Sequence, residues 1–430
     1  MGVSFGTVVG WSTAVAPTID SFFSPSIASW VVTITIPVSV AGCLIWGPIT
    51  MRFGPRKSLL AISLPMIAGW ILVLDIATLW TTLAGRALMG LAMGATVVVI
   101  PLYVSEVTED ALRGRLGSLM LLSVNLGILI AYSLGGFLDV LGVAIFCGGI
   151  PVIFAVVFYF CPESPLFLFS TGQESAAVAT LRRLREPGDQ VAAEIAAIRA
   201  AGKAADCSEP KLSDLVRGRA ARKAAIISLG VLFCQQGSGI SPVMYYVGAI
   251  FQRSGGSISP IVSSCIVAAV QLAGSCVATA LMDKAGRRTL MLLSCTVMGI
   301  SQACLGFAMM PNTPAPSWLP VMSLSVFILA YALGAGPAPF VIVSEVAAPR
   351  VKAMTCSVAI AYNCLCSFII TKIFPDLMYY LGDHGVFWAF ACACAVGAIF
   401  CWFCLPETSG RSSASIQAEL GGNKTVGVGV

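Results

Sequence analysis

The segment 235–246 begins with two adjacent amides, Gln235 and Gln236, and ends with two aromatics, Tyr245 and Tyr246. Two glycines and a proline lie between them and interrupt the helix that this apolar region would otherwise form. An amide in an apolar surrounding is costly unless a polar group pairs with it. Amides suit the hydroxyls of a sugar, and an aromatic face suits its C–H surface. The segment therefore predicts a sugar site, and hydrogen bonding between helices is the alternative reading.

Three short charged motifs occur twice, in the same order along the chain. Met51–Lys57 is echoed by Asp283–Thr289, Val104–Val107 by Val343–Val346, and Cys161–Ser164 by Leu405–Thr408. Each copy stands at the end of a long apolar stretch. Such a repeat predicts two similar halves, which is typical of transporters whose two bundles move about a site between them.

Most of the chain must face lipid. Hydrophobic residues make up 57% of it, charged residues only 10%, and the mean hydropathy is +0.91. A soluble domain carries about 25% charged residues. Twelve segments approach the roughly 20 apolar residues that a membrane helix needs. They are 2–20, 28–50, 58–78, 82–104, 116–138, 142–161, 224–251, 259–282, 289–310, 318–345, 354–380 and 385–405.

We therefore predict an all-α integral membrane protein of twelve transmembrane helices in two pseudo-symmetric six-helix bundles. The bundles cover 1–161 and 224–408, joined by a helical linker at 162–223 and followed by a tail at 409–430. Within the linker, 176–185 and 191–199 read as short amphipathic helices. Lysine and arginine concentrate in alternate connections, the linker and the tail, which places both termini in the cytoplasm.

The sequence offers little for other classes of function. It holds no nucleotide-binding loop, metal-ligand cluster or nucleophile–base pair, so we expect no enzyme, cofactor, metal or ATP-driven pump. The net charge of +5 is too small to indicate nucleic acid. The sixteen cysteines lie largely in apolar helices and should act as small hydrophobes. We expect no cleavable signal peptide, because no positively charged region precedes the first apolar segment. A chain truncated at its start would open in the same way.

The motifs resemble those of the sugar porters of the major facilitator superfamily, over nearly the whole chain. The segments that carry the resemblance are 52–57, 85–86, 101–106, 113–114, 162–165, 235–246, 283–288, 334–337 and 406–408. Two further segments, 125–129 and 361–372, are similar in particular to insect facilitated trehalose and glucose transporters.

The resemblance implies a major facilitator fold in the plasma membrane, with a sugar site between the halves and a monomer sufficient for function. The substrate-binding positions that we infer from it are Gln235, Gln236, Ser241, Gln271, Phe340, Asn363 and Asn125. Tyr245 and Tyr246 match an outer gate. The cytoplasmic charge network that we infer comprises Arg52, Glu106, Arg113, Glu163, Asp283, Arg287, Arg288, Glu345, Lys352 and Glu407.

The leading function is facilitative transport of a hexose or a trehalose-like disaccharide by alternating access. Proton-coupled symport is one alternative, and it needs a titratable acid near the site. Proton-coupled relatives place that acid in span one after Phe-Gly, whereas Phe5-Gly6 is followed here by Thr7 and Val8. The sequence therefore disfavours symport.

A second alternative is a sugar sensor or scaffold that transports nothing. It is favoured by departures from the pattern of the family, where Met51 replaces an acid, Ser241 an asparagine and Cys364 a tryptophan. An uptake panel of sugars and polyols separates this alternative from a carrier.

Overall fold

The computed structural model describes residues 1–108, 110–185, 195, 218–255, 258–311, 316–348, 351–408, 411 and 413–421. The helices before the linker are α1 (Gly2–Ala14), α2 (Ala16–Phe22), α3 (Pro25–Thr33), α4 (Thr35–Phe53), α5 (Pro55–Val73), α6 (Leu79–Val107), α7 (Asp110–Leu134) and α8 (Val140–Phe158). The linker contributes α9 (Pro165–Ser170) and α10 (Glu174–Leu184).

The second half of the chain is also helical. Its helices are α11 (Arg219–Gly237), α12 (Ile240–Arg253), α13 (Pro260–Ala285), α14 (Arg287–Ala308), α15 (Leu319–Ala330), α16 (Ala338–Val346), α17 (Lys352–Cys404) and α18 (Ser413–Gly421). A π-helical turn, Tyr331–Ala335, follows α15. The amphipathic helix predicted at 176–185 is found as α10, whereas the one predicted at 191–199 lies outside the described residues, apart from position 195.

The chain divides into two compact units. One comprises Met1–Trp11 and Pro17–Glu209, and the other Ser12–Ala16 and Pro210–Val430. In the described ranges, nine helical stretches are long and apolar enough to cross a bilayer. The longest, Met354–Cys404, contains the segment predicted as span 354–380 and all but the last residue of the one predicted as span 385–405. Gly382 separates the two by a non-helical backbone at φ 73° and ψ 163°.

Small residues let α4 and α6 approach closely in the first unit. A Cβ atom built on Gly94 would lie 1.8 Å from the Ser39 carbonyl oxygen, and one on Gly90 would lie 2.5 Å from that of Thr35. No larger residue fits at either position without a backbone shift. The sequence pattern of small residues four apart in α6 thus marks a helix–helix contact.

A fully buried arginine ties three helices of the first unit together. Arg86 of α6 donates from Nη1 to the Val8 carbonyl at 2.9 Å, and from Nε and Nη2 to the carbonyls of Val31 and Val32 at 3.1 Å each. Its guanidinium also lies 5.0 Å from the ring centre of Trp11. These contacts compensate a charge that would otherwise be expensive at membrane depth.

Candidate functional site

The two predicted amides lie at the C-terminal end of α11, where the backbone changes direction. Gln235 and Gln236 immediately precede the last residue of the helix, Gly237. Gly239 then adopts φ 81°, a left-handed conformation that glycine takes readily, and α12 begins at the next residue. A Cβ atom on Gly239 would also lie 2.5 Å from the Phe390 ring. The break therefore leaves both amides where two helices meet, as the sequence indicates.

Asn363 of α17 lies at the centre of a hydrogen-bonded amide cluster. It accepts a hydrogen bond on Oδ1 from Gln236 Nε2, and its own Nδ2 donates to Gln235 Oε1 at 3.0 Å. Gln235 Nε2 in turn donates to the carbonyls of Ala335 and Gly336 at 2.7 and 2.9 Å. These carbonyls stand at the end of the π-helical turn, so Gln235 pairs backbone groups beside an irregular helix.

Two serines extend this cluster toward a more exposed region. Ser241 Oγ donates to Gln236 Oε1 at 2.6 Å, and Ser367 Oγ donates to Ser241 Oγ at 2.7 Å. Ser367 is absent from the residues predicted from the sequence, although it lies four residues after Asn363 and hence on the same face of α17. We call Gln235, Gln236, Ser241, Asn363 and Ser367 the polar cluster.

The other predicted binding residues lie apart from these hydrogen bonds. Gln271 of α13 is 6% exposed, and its Oε1 is buried without a hydrogen-bond partner among the described residues. Such an acceptor is costly unless a ligand or water donates to it. Phe340 of α16 is 44% exposed. Asn125 is buried on α7 of the first unit.

The predicted gate residues lie in the middle of α12. Tyr246 has a non-helical backbone, φ −120° and ψ 15°, and so marks a kink in this helix. Its ring stacks on Phe374 at a centroid distance of 5.5 Å, and Phe374 stacks on Phe390 at 6.2 Å. Tyr245 is buried. The kink and the stack position one tyrosine against α17, the helix that also carries Asn363.

Among the predicted charges, Glu163 caps a helix of the first unit. Its Oε1 accepts hydrogen bonds from the backbone N–H groups of Arg56, at 3.0 Å, and Ser164, at 3.1 Å. Arg56 lies in the first turn of α5, where backbone N–H groups lack partners within the helix. The Arg56 side chain donates to the Tyr159 carbonyl and lies 5.7 Å from that ring centre.

Glu407 makes the corresponding contacts in the second unit. It accepts from the backbone N–H groups of Arg287 at 2.9 Å, Arg288 at 3.2 Å and Thr408 at 3.0 Å. Arg288 donates to the Trp402 carbonyl at 2.6 Å and lies 5.7 Å from that ring centre. Both repeats therefore place a carboxylate at the positive end of a helix, a favourable arrangement for its charge.

The remaining predicted charges have varied surroundings. Arg287 and Glu345 form an ion pair at 3.3 Å in the second unit. Glu106 is half-buried near the end of α6 in the first. Arg52 lies over the Phe53 ring at 5.6 Å, and Lys352 is exposed at the start of α17. The side chains of Arg113 and Asp283 lie outside the described part of the chain.

Comparison with known proteins identifies the family of this chain. Residues 4–420 match the family model described as "Sugar (and other) transporter". The chain belongs to this sugar transporter family. The facilitated trehalose transporter Tret1 of Culex quinquefasciatus is 32% identical over 440 residues, which are 98% of this chain and 85% of that protein. Tret1 of Aedes aegypti is also 32% identical over 440 residues, which are 54% of its length. The chain thus spans about half the length of several such relatives.

Solved structures share the fold of this chain. The inward-open xylose transporter XylE from E. coli superposes with a TM-score of 0.81 at 21% identity, over 97% of this chain and 98% of that one. XylE bound to 6-bromo-6-deoxy-D-glucose gives 0.76 at 21% identity, over 97% of each chain. The predicted all-helical major facilitator fold is confirmed, as is the resemblance of the sequence to the insect transporters of this sugar transporter family.

Proposed function

We propose that this chain carries a sugar, either a hexose or a trehalose-like disaccharide, passively across the plasma membrane by alternating access. The polar cluster carries the proposal, because it lies within membrane-length helices of a chain from the sugar transporter family. In this proposal the sugar binds at the polar cluster, both termini are cytoplasmic, and a monomer suffices.

The chemistry of the polar cluster suits reversible binding of a neutral polyhydroxyl ligand. Its groups are neutral amides and hydroxyls that bond to one another, and the serine end is only part-buried. A sugar hydroxyl can replace an internal partner, so that one hydrogen bond, with a net contribution of roughly 0.5–1.5 kcal/mol, is exchanged for another of about the same strength. Because the free energies of the bound and unbound cluster then differ little, the sugar can be released as readily as it is bound, which a carrier requires.

Arg86 supports the passive mechanism over proton symport. Its Nη1 donates to the backbone carbonyl of Val8, the second residue after Phe5-Gly6, where proton-coupled relatives place an acid. A carbonyl does not titrate in the physiological range, so this contact offers no proton to couple to sugar movement. The proposal therefore assigns Arg86 to the packing of α1, α3 and α6.

The test is radiolabelled uptake of glucose, trehalose, fructose and polyols into proteoliposomes. We expect at least one sugar to equilibrate faster than in protein-free vesicles, and an imposed pH gradient not to raise it above its equilibrium level. Accumulation above equilibrium that an uncoupler abolishes would show symport instead. Saturable sugar binding without any flux would favour the sensor or scaffold.

A further inference from the structure

A cavity of about 500 Å³ opens in the second unit, where α11, α14, α17 and α18 meet. It is lined by Lys223, Ile226, Ile227, Arg288, Glu419, Leu420 and the segment 402–406. Three of these residues, Ile227, Leu405 and Leu420, are almost fully buried and form an apolar floor. A volume of this size is within the range of small-molecule sites.

The charge on the wall of the cavity is positive. Lys223 is half-buried, and its side chain makes no hydrogen bond or ion pair with any residue in the described ranges. The Nε atom of Arg288 is buried and likewise has no hydrogen-bond partner there. The one acid that lines the cavity, Glu419, is paired with Arg411 at 2.5 Å. An anion between Lys223 and Arg288 would supply the missing partners.

The outer wall of the cavity is apolar and exposed. Ile226 is 60% exposed, Trp402 61% and Phe403 80%, and all three belong to helical stretches of membrane length. Side chains of this kind at a membrane surface contact lipid, and tryptophan is typical of the headgroup level. A ligand that uses both the cations and this wall needs an anionic head and an apolar tail.

We propose that this cavity binds an anionic membrane phospholipid, whose phosphate lies between Lys223 and Arg288. The acyl chains run along Ile226, Trp402 and Phe403 into the bilayer. Basic pockets between transmembrane helices bind anionic headgroups in this way. A free phosphate would satisfy the cations but would leave the apolar wall unused, which is why a lipid is favoured over a soluble anion.

Lipid titration of the purified, delipidated protein tests the site by native mass spectrometry, with dioleoylphosphatidylglycerol as the anionic probe and dioleoylphosphatidylcholine as the zwitterionic one. The anionic lipid should bind more tightly. Lys223→Gln should weaken the first anionic lipid about five-fold, the effect of one cation near a membrane surface. The change breaks no contact in the described structure, so the fold should be retained.

Arg222→Gln is the matched control, since it removes the same charge at the adjacent, exposed position, which does not line the cavity. It should leave binding of the first anionic lipid unchanged. Equal weakening by both substitutions would show diffuse surface attraction and overturn the site, as would equal affinity for the two lipids. Displacement of the lipid by an equal concentration of glycerol 3-phosphate would show that the apolar wall contributes nothing, and would also overturn it.

Discussion

Gln236→Ala should raise the half-saturating sugar concentration several-fold and should lower protein stability less than Gln235→Ala does. The side chain bonds only to other members of the polar cluster, Asn363 and Ser241, in the described structure. A neutral hydrogen bond to the sugar contributes about 0.5–1.5 kcal/mol, and a buried hydroxyl left without its partner costs more, about 1–3 kcal/mol. The measurement is the concentration dependence of initial uptake in proteoliposomes, at matched protein incorporation.

Gln235→Ala should affect both transport and stability, because Gln235 also pairs the carbonyls of Ala335 and Gly336. Thermal unfolding in detergent should therefore separate the two glutamines. Gln252→Ala removes an exposed amide near the end of α12 and serves as the control. Unchanged kinetics for Gln236→Ala, with uptake intact, would remove this amide from the sugar site.

Arg86→Leu should cause a large loss of thermal stability in detergent. Leucine would fill much of the space but would leave the carbonyls of Val8, Val31 and Val32 without their guanidinium donors. Each buried polar group that loses its partner costs about 1–3 kcal/mol. Since a change of 1 kcal/mol moves the melting temperature of a 150–250-residue domain by about 2–4 °C, the shift should exceed several degrees.

Arg86→Lys should recover only part of this loss, because an ammonium group cannot reproduce the planar fork of donors. Arg52→Leu is the matched control, since Arg52 is exposed at the end of α4 and lies over the ring of the adjacent Phe53. Its melting temperature should be close to that of the wild type. If that of Arg86→Leu were close as well, Arg86 would not be a structural tie in this unit.

The sequence could predict the helices and the amides because both depend on local signals. Long apolar runs, helix-breaking glycines and the doubled motifs locate the spans, and adjacent polar residues in an apolar run stand out. The pairing of Gln236 with Asn363 is harder to predict from the sequence, since the two residues are 127 positions apart in the chain. Ser367 was missed because a serine in a membrane helix commonly bonds its own backbone, and only its spacing from Asn363 gave a signal.

The charged motifs show a different limit. Arg287 and Glu345, two members of the inferred charge network, form an ion pair. Glu163 and Glu407 instead accept hydrogen bonds from backbone N–H groups at the starts of helices. Every residue except proline has such an N–H group, so the residue types do not predict these contacts. Gly54 and Gly286, at φ 91° and 80°, are the sequence signal that was available, since each permits the turn that brings a helix start against its carboxylate.

Counterflow tests the central claim most directly. Proteoliposomes loaded with unlabelled sugar are diluted into a trace of the same sugar carrying a radiolabel, without any ion gradient. A carrier that alternates between two faces should accumulate label transiently above its external concentration and then release it. Exit of unlabelled sugar returns the binding site to the outer face, where it takes up label, and unlabelled sugar inside competes with the label for exit. A slow rise to equilibrium without an overshoot, in vesicles whose protein still binds the sugar, would contradict facilitative transport by this chain.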